Sequence, residues 1–325
     1  MHKESFFQVM DDGCEIFVNR CFPDDMKNIK ALVQISHGML DYSGRYFHLC
    51  EFLTEQGFVV NAHDHRGHGK TALMAIEKKC GKLGFLAEKD GFLTVINDLH
   101  AITEKLKTDF PDKPVILFAH SWGSFIAQGF IELYGNTISK CILCGTAGPR
   151  RALINMGRIL TALPSFFHKK TDESPFFRKL SFSLYNSRIK EPFSKNAWVS
   201  RDNDVVYAYD TDPLCNFIPT WGFYRDLLEG LNFIHKPERI RQIPVKLPVF
   251  LIVGDGDPVG EWASTVKNLF KIYQKNGMEN TELKIYPDAR HELFNEINRE
   301  QVFADILNWI QKKDSKNLFQ ICDKS

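Results

Sequence analysis

The chain has 325 residues, and its 41 basic and 40 acidic side chains leave a net charge of +1. That balance excludes a nucleic-acid binder driven mainly by phosphate neutralisation, so no nucleic-acid partner is expected. Apolar residues make up 44% and charged residues 25%, a globular mixture that excludes a disordered chain. The length suits one large domain, or a core carrying a smaller insertion.

The start, Met1-His2-Lys3-Glu4-Ser5-Phe6, lacks an apolar segment with a small-residue cleavage site, so no export signal is expected. No run approaches the roughly 18 apolar residues of a membrane-crossing helix. Eight cysteines are too few for a disulfide scaffold. Cys141 and Cys144 have C-x-x-C spacing inside an apolar run, without the second pair a zinc ribbon needs. The thiols are therefore expected to be buried and free, in a reducing cytoplasm, with no metal.

Along the chain, Asp11-Asp12-Gly13 between Phe6–Met10 and Glu15–Val18 predicts an antiparallel hairpin at a sheet edge. Short apolar runs at 31–36, 58–62, 115–119, 140–143 and 249–253 predict strands buried on both faces. Helical patterns fall at about 44–56, 91–109, 122–134, 262–276 and 299–312. This alternation predicts an α/β fold with a doubly wound, mostly parallel sheet. Between about 149 and 241 the alternation breaks into proline-rich, short amphipathic pieces. The expected division is a core of 1–148 and 242–325 with a mostly helical cap, or lid, at 149–241.

Residues 150–195 hold ten basic and three acidic side chains, a local charge of +7 that leaves −6 for the rest. The same stretch holds Phe166, Phe167, Phe176, Phe177, Phe182 and Phe193. Basic charge interleaved with Phe suits peripheral contact with an anionic membrane or an acyl-chain entrance. The alternative is that the Phe side chains pack the insertion onto the core.

The chemistry is carried by Val115–Ala119, which runs through His120 into Ser121-Trp122-Gly123. This is the strand-to-helix turn written G-x-S-x-G, with Ala119 in place of the first Gly. Such a turn projects the serine Oγ at the carboxyl edge of the sheet. A base and an acid should follow in the order Ser, Asp or Glu, His. Asp255 and Asp257 end one strand-like run, and His291 follows another; spacing alone leaves both aspartates open. The oxyanion needs backbone donors, which Trp122 and, after the Ser36-His37-Gly38 turn, Met39 can supply. His100 and His235 read as structural. His63, His65 and His68 read as a turn rather than a metal site. Gly69-Lys70-Thr71 fails as a phosphate loop because the first glycine of that pattern would fall at Asp64.

Ser36-His37-Gly38-Met39, Ser43-Gly44-Arg45-Tyr46, Asp64-His65-Arg66-Gly67-His68-Gly69, His120-Ser121-Trp122-Gly123-Ser124, Gly254-x-x-Asp257 and Arg290-His291-Glu292 together resemble the α/β-hydrolase superfamily. The branch they resemble is that of monoacylglycerol lipases and bacterial lysophospholipase-like hydrolases. The resemblance implies an eight-stranded sheet, a cap between strands six and seven, and no cofactor. It implies Ser121 as nucleophile, Asp257 as acid, His291 as base, and Met39 and Trp122 as oxyanion donors. Where the family carries Gly and Met, this chain has Ala119 and Trp122. The expected activity is serine-dependent hydrolysis of carboxylic esters, with a small-molecule monoacyl lipid as substrate. Alternatives are a thioesterase or an aminopeptidase, for which Glu173, Glu191 or Glu229 would hold the substrate ammonium, and a non-catalytic ligand-binding protein. The oligomeric state is left open.

Overall fold

The computed structural model describes residues 2–162 and 168–312. The chain begins with β1 (His2–Val9) and β2 (Glu15–Phe22), an antiparallel hairpin longer than its apolar pattern predicts. β3 (Ala31–Ser36), α1 (Phe47–Glu55), β4 (Phe58–His63), α2 (Gly69–Glu77), α3 (Gly91–Asp109), β5 (Val115–His120), α4 (Trp122–Tyr134) and β6 (Lys140–Cys144) follow. Five helices come next: α5 (Arg151–Ala162), α6 (Pro175–Phe182), α7 (Asn203–Thr211), α8 (Trp221–Ile234) and α9 (Pro237–Ile240). β7 (Val249–Gly254), α10 (Ser264–Lys275), β8 (Thr281–Tyr286) and α11 (Arg299–Gln311) complete the chain.

The eight strands form one sheet in the order β1-β2-β4-β3-β5-β6-β7-β8. β2 pairs antiparallel with both β1 and β4, and every later pairing is parallel. Strands β3, β4, β5 and β7 are buried along their whole length, because helices cover both faces. Alternation sorts their side chains. Leu32, Val59, Leu117 and Leu251 face a core shared with α3, α4, α8 and α10, while Val33, Val60, Phe118 and Ile252 face α1 and α11. Phe177, Trp198 and Tyr224 join the first of these cores, so the helices between β6 and β7 pack directly on the sheet layer.

Two differences from the sequence pattern have clear causes. α2 is hidden in the sequence by its glycine-rich approach. Its start is built by Asp64, which accepts from the N–H groups of Lys70 and Ser43 at 2.7 and 2.8 Å. α10 starts at Ser264 rather than 262, because Glu261, Trp262 and Ala263 all adopt positive φ and cannot continue a right-handed helix.

The loops leaving β7 and β8 meet closely. A Cβ at Gly254 would overlap the carbonyl oxygen of Ala289. Gly254→Ala should therefore destabilise the protein by about 1–3 kcal/mol through overpacking. The measurement is the urea midpoint; an unchanged midpoint would show that these loops have room to separate.

Candidate active site

Ser121 joins β5 to α4 with φ 54° and ψ −124°, in the left-handed region that non-glycine residues avoid. Its N–H donates to the Cys144 carbonyl at 2.9 Å, which ties the turn to β6. Directly behind it, Gly123 packs on the end of β3, where a Cβ would overlap the carbonyls of Ser36 and His37. Ala119 is fully buried. The turn holds about 1–3 kcal/mol of backbone strain, sustained by this packing.

His291 lies in the loop after β8, with its Nε2 2.8 Å from Ser121 Oγ and its Nδ1 2.9 Å from Asp257 Oδ1. Asp257 is fully buried and also accepts the Val259 N–H at 2.9 Å. Asp255 is exposed and accepts the Asp288 N–H instead. Of the two acids that spacing left open, only Asp257 meets the imidazole. The histidine loop is held from the insertion side: the His291 and Glu292 N–H groups donate to the carbonyls of Trp198 and Val199. Arg290 Nη1 grips the carbonyls of Ala197 and Ser200.

The loop after β3 lies against the serine. A Cβ at Gly38 would sit 3.1 Å from Ser121 Cβ. Among the described residues, the N–H groups of Met39 and Trp122 have no protein acceptor. Trp122 is the first residue of α4, so no helical carbonyl is available to its N–H. Met39, Ser121, Trp122 and His291 line one cavity of about 520 Å³, within the range of small-molecule sites.

That cavity is mainly apolar, walled by Phe125, Leu228, Leu231, Phe182 and Trp198. Leu153, Met156, Leu160, Leu180 and Leu184 line it and are also exposed, so they mark its mouth. Three lining carboxylates all have arginine partners. Glu292 pairs two-pronged with Arg45 at 2.6 and 2.7 Å, Asp41 meets the same arginine at 3.2 Å, and Glu261 meets Arg150 at 2.9 Å. Burial pushes the Asp41 carboxyl up to about 6, against the pull of the Arg45 charge. Glu173, Glu191 and Glu229 do not line the cavity. Among the described residues no cluster of His, Cys, Asp or Glu has the geometry of a metal site.

Sequence reasoning missed two features. The first is the Asp41–Arg45–Glu292 group, in which Glu292 comes from a loop 247 positions from Arg45. The second is a directed hydrogen-bond chain through the histidines taken as a turn. Gln34 Nε2 can only donate, so His63 Nδ1 accepts at 3.0 Å and its Nε2 carries the proton. That proton goes to His65 Nδ1 at 3.1 Å, and His65 Nε2 then donates to Ser36 Oγ at 2.9 Å. Ser36 donates to the Gly123 carbonyl at 3.3 Å. Burial holds these rings neutral, pushing His63 down to about 3 and His68 to about 4. His235, read as structural, lines the cavity wall and is pushed down to about 4 by burial.

Comparison with known proteins matches residues 27–298 to the Hydrolase_4 family, described as serine aminopeptidase, S33. The chain is 28% identical to a monoacylglycerol lipase of Mycolicibacterium smegmatis over 86% of this chain and 88% of that one. It is 24% identical to the human monoglyceride lipase over 87% and 83%. Among solved structures, a carboxyl esterase from Bacillus coagulans superimposes with a TM-score of 0.84 at 28% identity, covering 95% of this chain and 98% of the other. A monoglyceride lipase from Saccharomyces cerevisiae superimposes at 0.73 with 19% identity, over 95% and 94%.

The neutral buried histidines make stability pH-dependent. A histidine whose folded pKa lies below its unfolded value of about 6.5 contributes stability that is complete above 6.5 and lost on acidification. His63 is the clearest case. His63→Gln should be less stable at pH 7, yet lose about 2 kcal/mol less than the unsubstituted protein between pH 7 and 5. Urea unfolding at the two pH values measures this. Equal losses would mean that His63 takes up its proton in the folded protein as readily as in the unfolded chain.

Proposed function

The chain belongs to the Hydrolase_4 family, and we propose that it hydrolyses the carboxylic ester of a monoacyl lipid through an acyl-enzyme on Ser121. The observation that carries this reading is the Ser121–His291–Asp257 relay opening into an apolar cavity closed over by the insertion. His291 Nε2 takes the Ser121 proton as Oγ bonds to the ester carbonyl carbon. The carbonyl oxygen becomes an oxyanion, answered by the N–H groups of Met39 and Trp122. Asp257 holds the imidazole tautomer and stabilises the imidazolium. The carbon–oxygen bond to the alcohol then breaks, and His291 returns its proton to the departing oxygen. Water repeats the sequence on the acyl-enzyme, releasing the fatty acid and restoring Ser121.

Residues 149–241 act in this reading as a cap whose inner wall shelters the acyl chain. Monoacylglycerol and lysophospholipid are the substrates in view. The family description names an aminopeptidase, which needs a carboxylate for the substrate ammonium. Each carboxylate lining this cavity is already paired with an arginine, so an ester is favoured over an aminoacyl amide. A thioester would use the same atoms.

Ser121→Ala should abolish fluorophosphonate labelling and lower turnover by several orders of magnitude. On a panel of monoacylglycerol, lysophospholipid, acyl thioester and aminoacyl-amide substrates, an oxygen ester should be preferred. Labelling that survives Ser121→Ala would remove the nucleophile, and preference for the amide would overturn the ester reading.

The cavity mouth is also the membrane-facing side in this reading. Ile159, Phe176 and Leu184 are 62%, 62% and 71% exposed, and Arg151, Lys169, Lys179 and Lys190 of the same insertion are exposed as well. The phenylalanines divide: Phe176 and Phe193 are exposed, Phe177 is buried, and Phe182 stacks on Trp198. Phe166 and Phe167 lie outside the described residues. Attraction to anionic lipid amounts to roughly 1 kcal/mol per basic residue near the surface and is screened by salt. The protein should co-sediment with anionic vesicles at low salt. Replacing those four basic residues with Gln should weaken this while sparing hydrolysis of a short soluble ester. Indifference of the unsubstituted protein to anionic vesicles would leave the mouth as a lid without a docking role.

A further inference from the structure

We propose that His37 is a positioning residue for the oxyanion donor at Met39: its imidazole grips the Gly38 carbonyl and so turns the Met39 N–H toward Ser121. This rests on the reading of Ser121 as the nucleophile. The carbonyl of Gly38 and the N–H of Met39 belong to one planar trans peptide unit and point in opposite directions. Fixing one fixes the other. Gly38 has no Cβ, so unaided rotation of this unit would meet little resistance. A rotated unit would aim a carbonyl oxygen, not an N–H, at the forming oxyanion.

Both peptide units flanking Gly38 are held. On its amino side, the Gly38 N–H donates to Asp41 Oδ2 at 3.2 Å. On its carboxyl side, His37 Nδ1 lies 2.8 Å from the Gly38 carbonyl oxygen. The direction of that bond is set by a third group. His37 Nε2 lies 2.9 Å from the backbone N–H of His65, which can only donate. Nε2 must therefore carry the lone pair, and the neutral ring has its proton on Nδ1, facing Gly38. His37 is fully buried, packed 4.4 Å from the His65 ring and 5.4 Å from the His68 ring, and burial keeps it neutral. A charged ring would set an N–H against the His65 N–H. Among the described residues the Met39 N–H has no protein acceptor, and Met39 lines the cavity that holds Ser121.

Two substitutions separate the two ring nitrogens. His37→Asn places an amide N–H where Nδ1 stood, keeping the donor to Gly38 and losing the acceptor for His65. His37→Gln places a carbonyl oxygen near Nε2, keeping the acceptor and losing the donor. Each loses one buried hydrogen bond, so thermal unfolding should register a similar change in both. Activity should not. His37→Gln should lower kcat/KM by about 10²-fold with KM nearly unchanged, the loss typical of one oxyanion donor. His37→Asn should recover most of that loss. An alkyl trifluoromethyl ketone, whose hemiketal oxygen occupies the oxyanion position, should bind His37→Gln more weakly by the same factor. Equal activity losses in the two variants, or unchanged ketone affinity in His37→Gln, would overturn the proposal. Should His37→Gln not fold, ¹⁵N-histidine spectra of the unsubstituted protein decide the matter: His37 protonated on Nε2 would overturn it. Failure of the Ser121 reading looks different, since the unsubstituted protein would then escape fluorophosphonate labelling.

Discussion

The backbone of Ser121 is the constraint on which the site depends. A left-handed residue between a strand and a helix reverses the chain so abruptly that α4 starts against the end of β3. That contact admits no side chain at position 123, and it presses the first turn of α4 on the carbonyls of Ser36 and His37. The loop carrying Gly38 and Met39 begins at those carbonyls. The same packing that raises the serine therefore sets the separation between the two peptide N–H groups flanking it. Strain of about 1–3 kcal/mol is sustainable because nearly the whole of α4 is buried. The strain is localised at a single residue, with dense apolar packing behind it.

A second level of order is polar and deep. Buried polar groups are costly unless every partner is present. Around Ser121 the partners form chains with fixed direction. Arg20 donates to Asn61, Asn61 to Gln34, and Gln34 to His63, continuing through His65 and Ser36 to α4. Asp41 accepts from Gly38, Tyr42, Arg45 and Tyr46 together. Such networks tolerate few alternative arrangements, so they specify the geometry of the loops more than they add to stability. The insertion takes part as well. By holding the His291 loop through the backbone of residues 197–200, it ties the position of that imidazole to the segment between β6 and β7.

Much of this was legible in the sequence because it is local. Short apolar runs between Gly and Pro marked the parallel strands, and Ser121 stood where a strand meets a helix. Asp257 and His291 followed in the required order, with the choice over Asp255 left to family resemblance. What escaped the reading is set by contacts between distant residues. Arg45 and Glu292 are 247 positions apart, and nothing near either one announces the pair. α2 was masked by glycines that serve Asp64 rather than break a helix; a Cβ at Gly69 would collide with that carboxylate. The late start of α10 follows from three successive left-handed residues, none of them glycine. His235 ends α8, and its place on the cavity wall is visible only once that helix is packed.

Charge at the site leads to the substrate. Asp41 and Glu292 are spent on Arg45, Glu261 is spent on Arg150, and Asp257 is spent on the imidazole. An apolar cavity whose fixed charges already have partners offers a large surface to an alkyl chain. In the proposed reaction the uncompensated charge is the one made on the ester carbonyl oxygen. In a site shielded from water, N–H groups held in place beforehand answer that charge without having to reorganise. Binding energy from the chain and stabilisation of the oxyanion thus come from separate parts of the cavity. Changes to the leucines of α8 should act on which acyl chain is held. Changes to the His37–Gly38–Met39 loop should act on how fast it is cleaved.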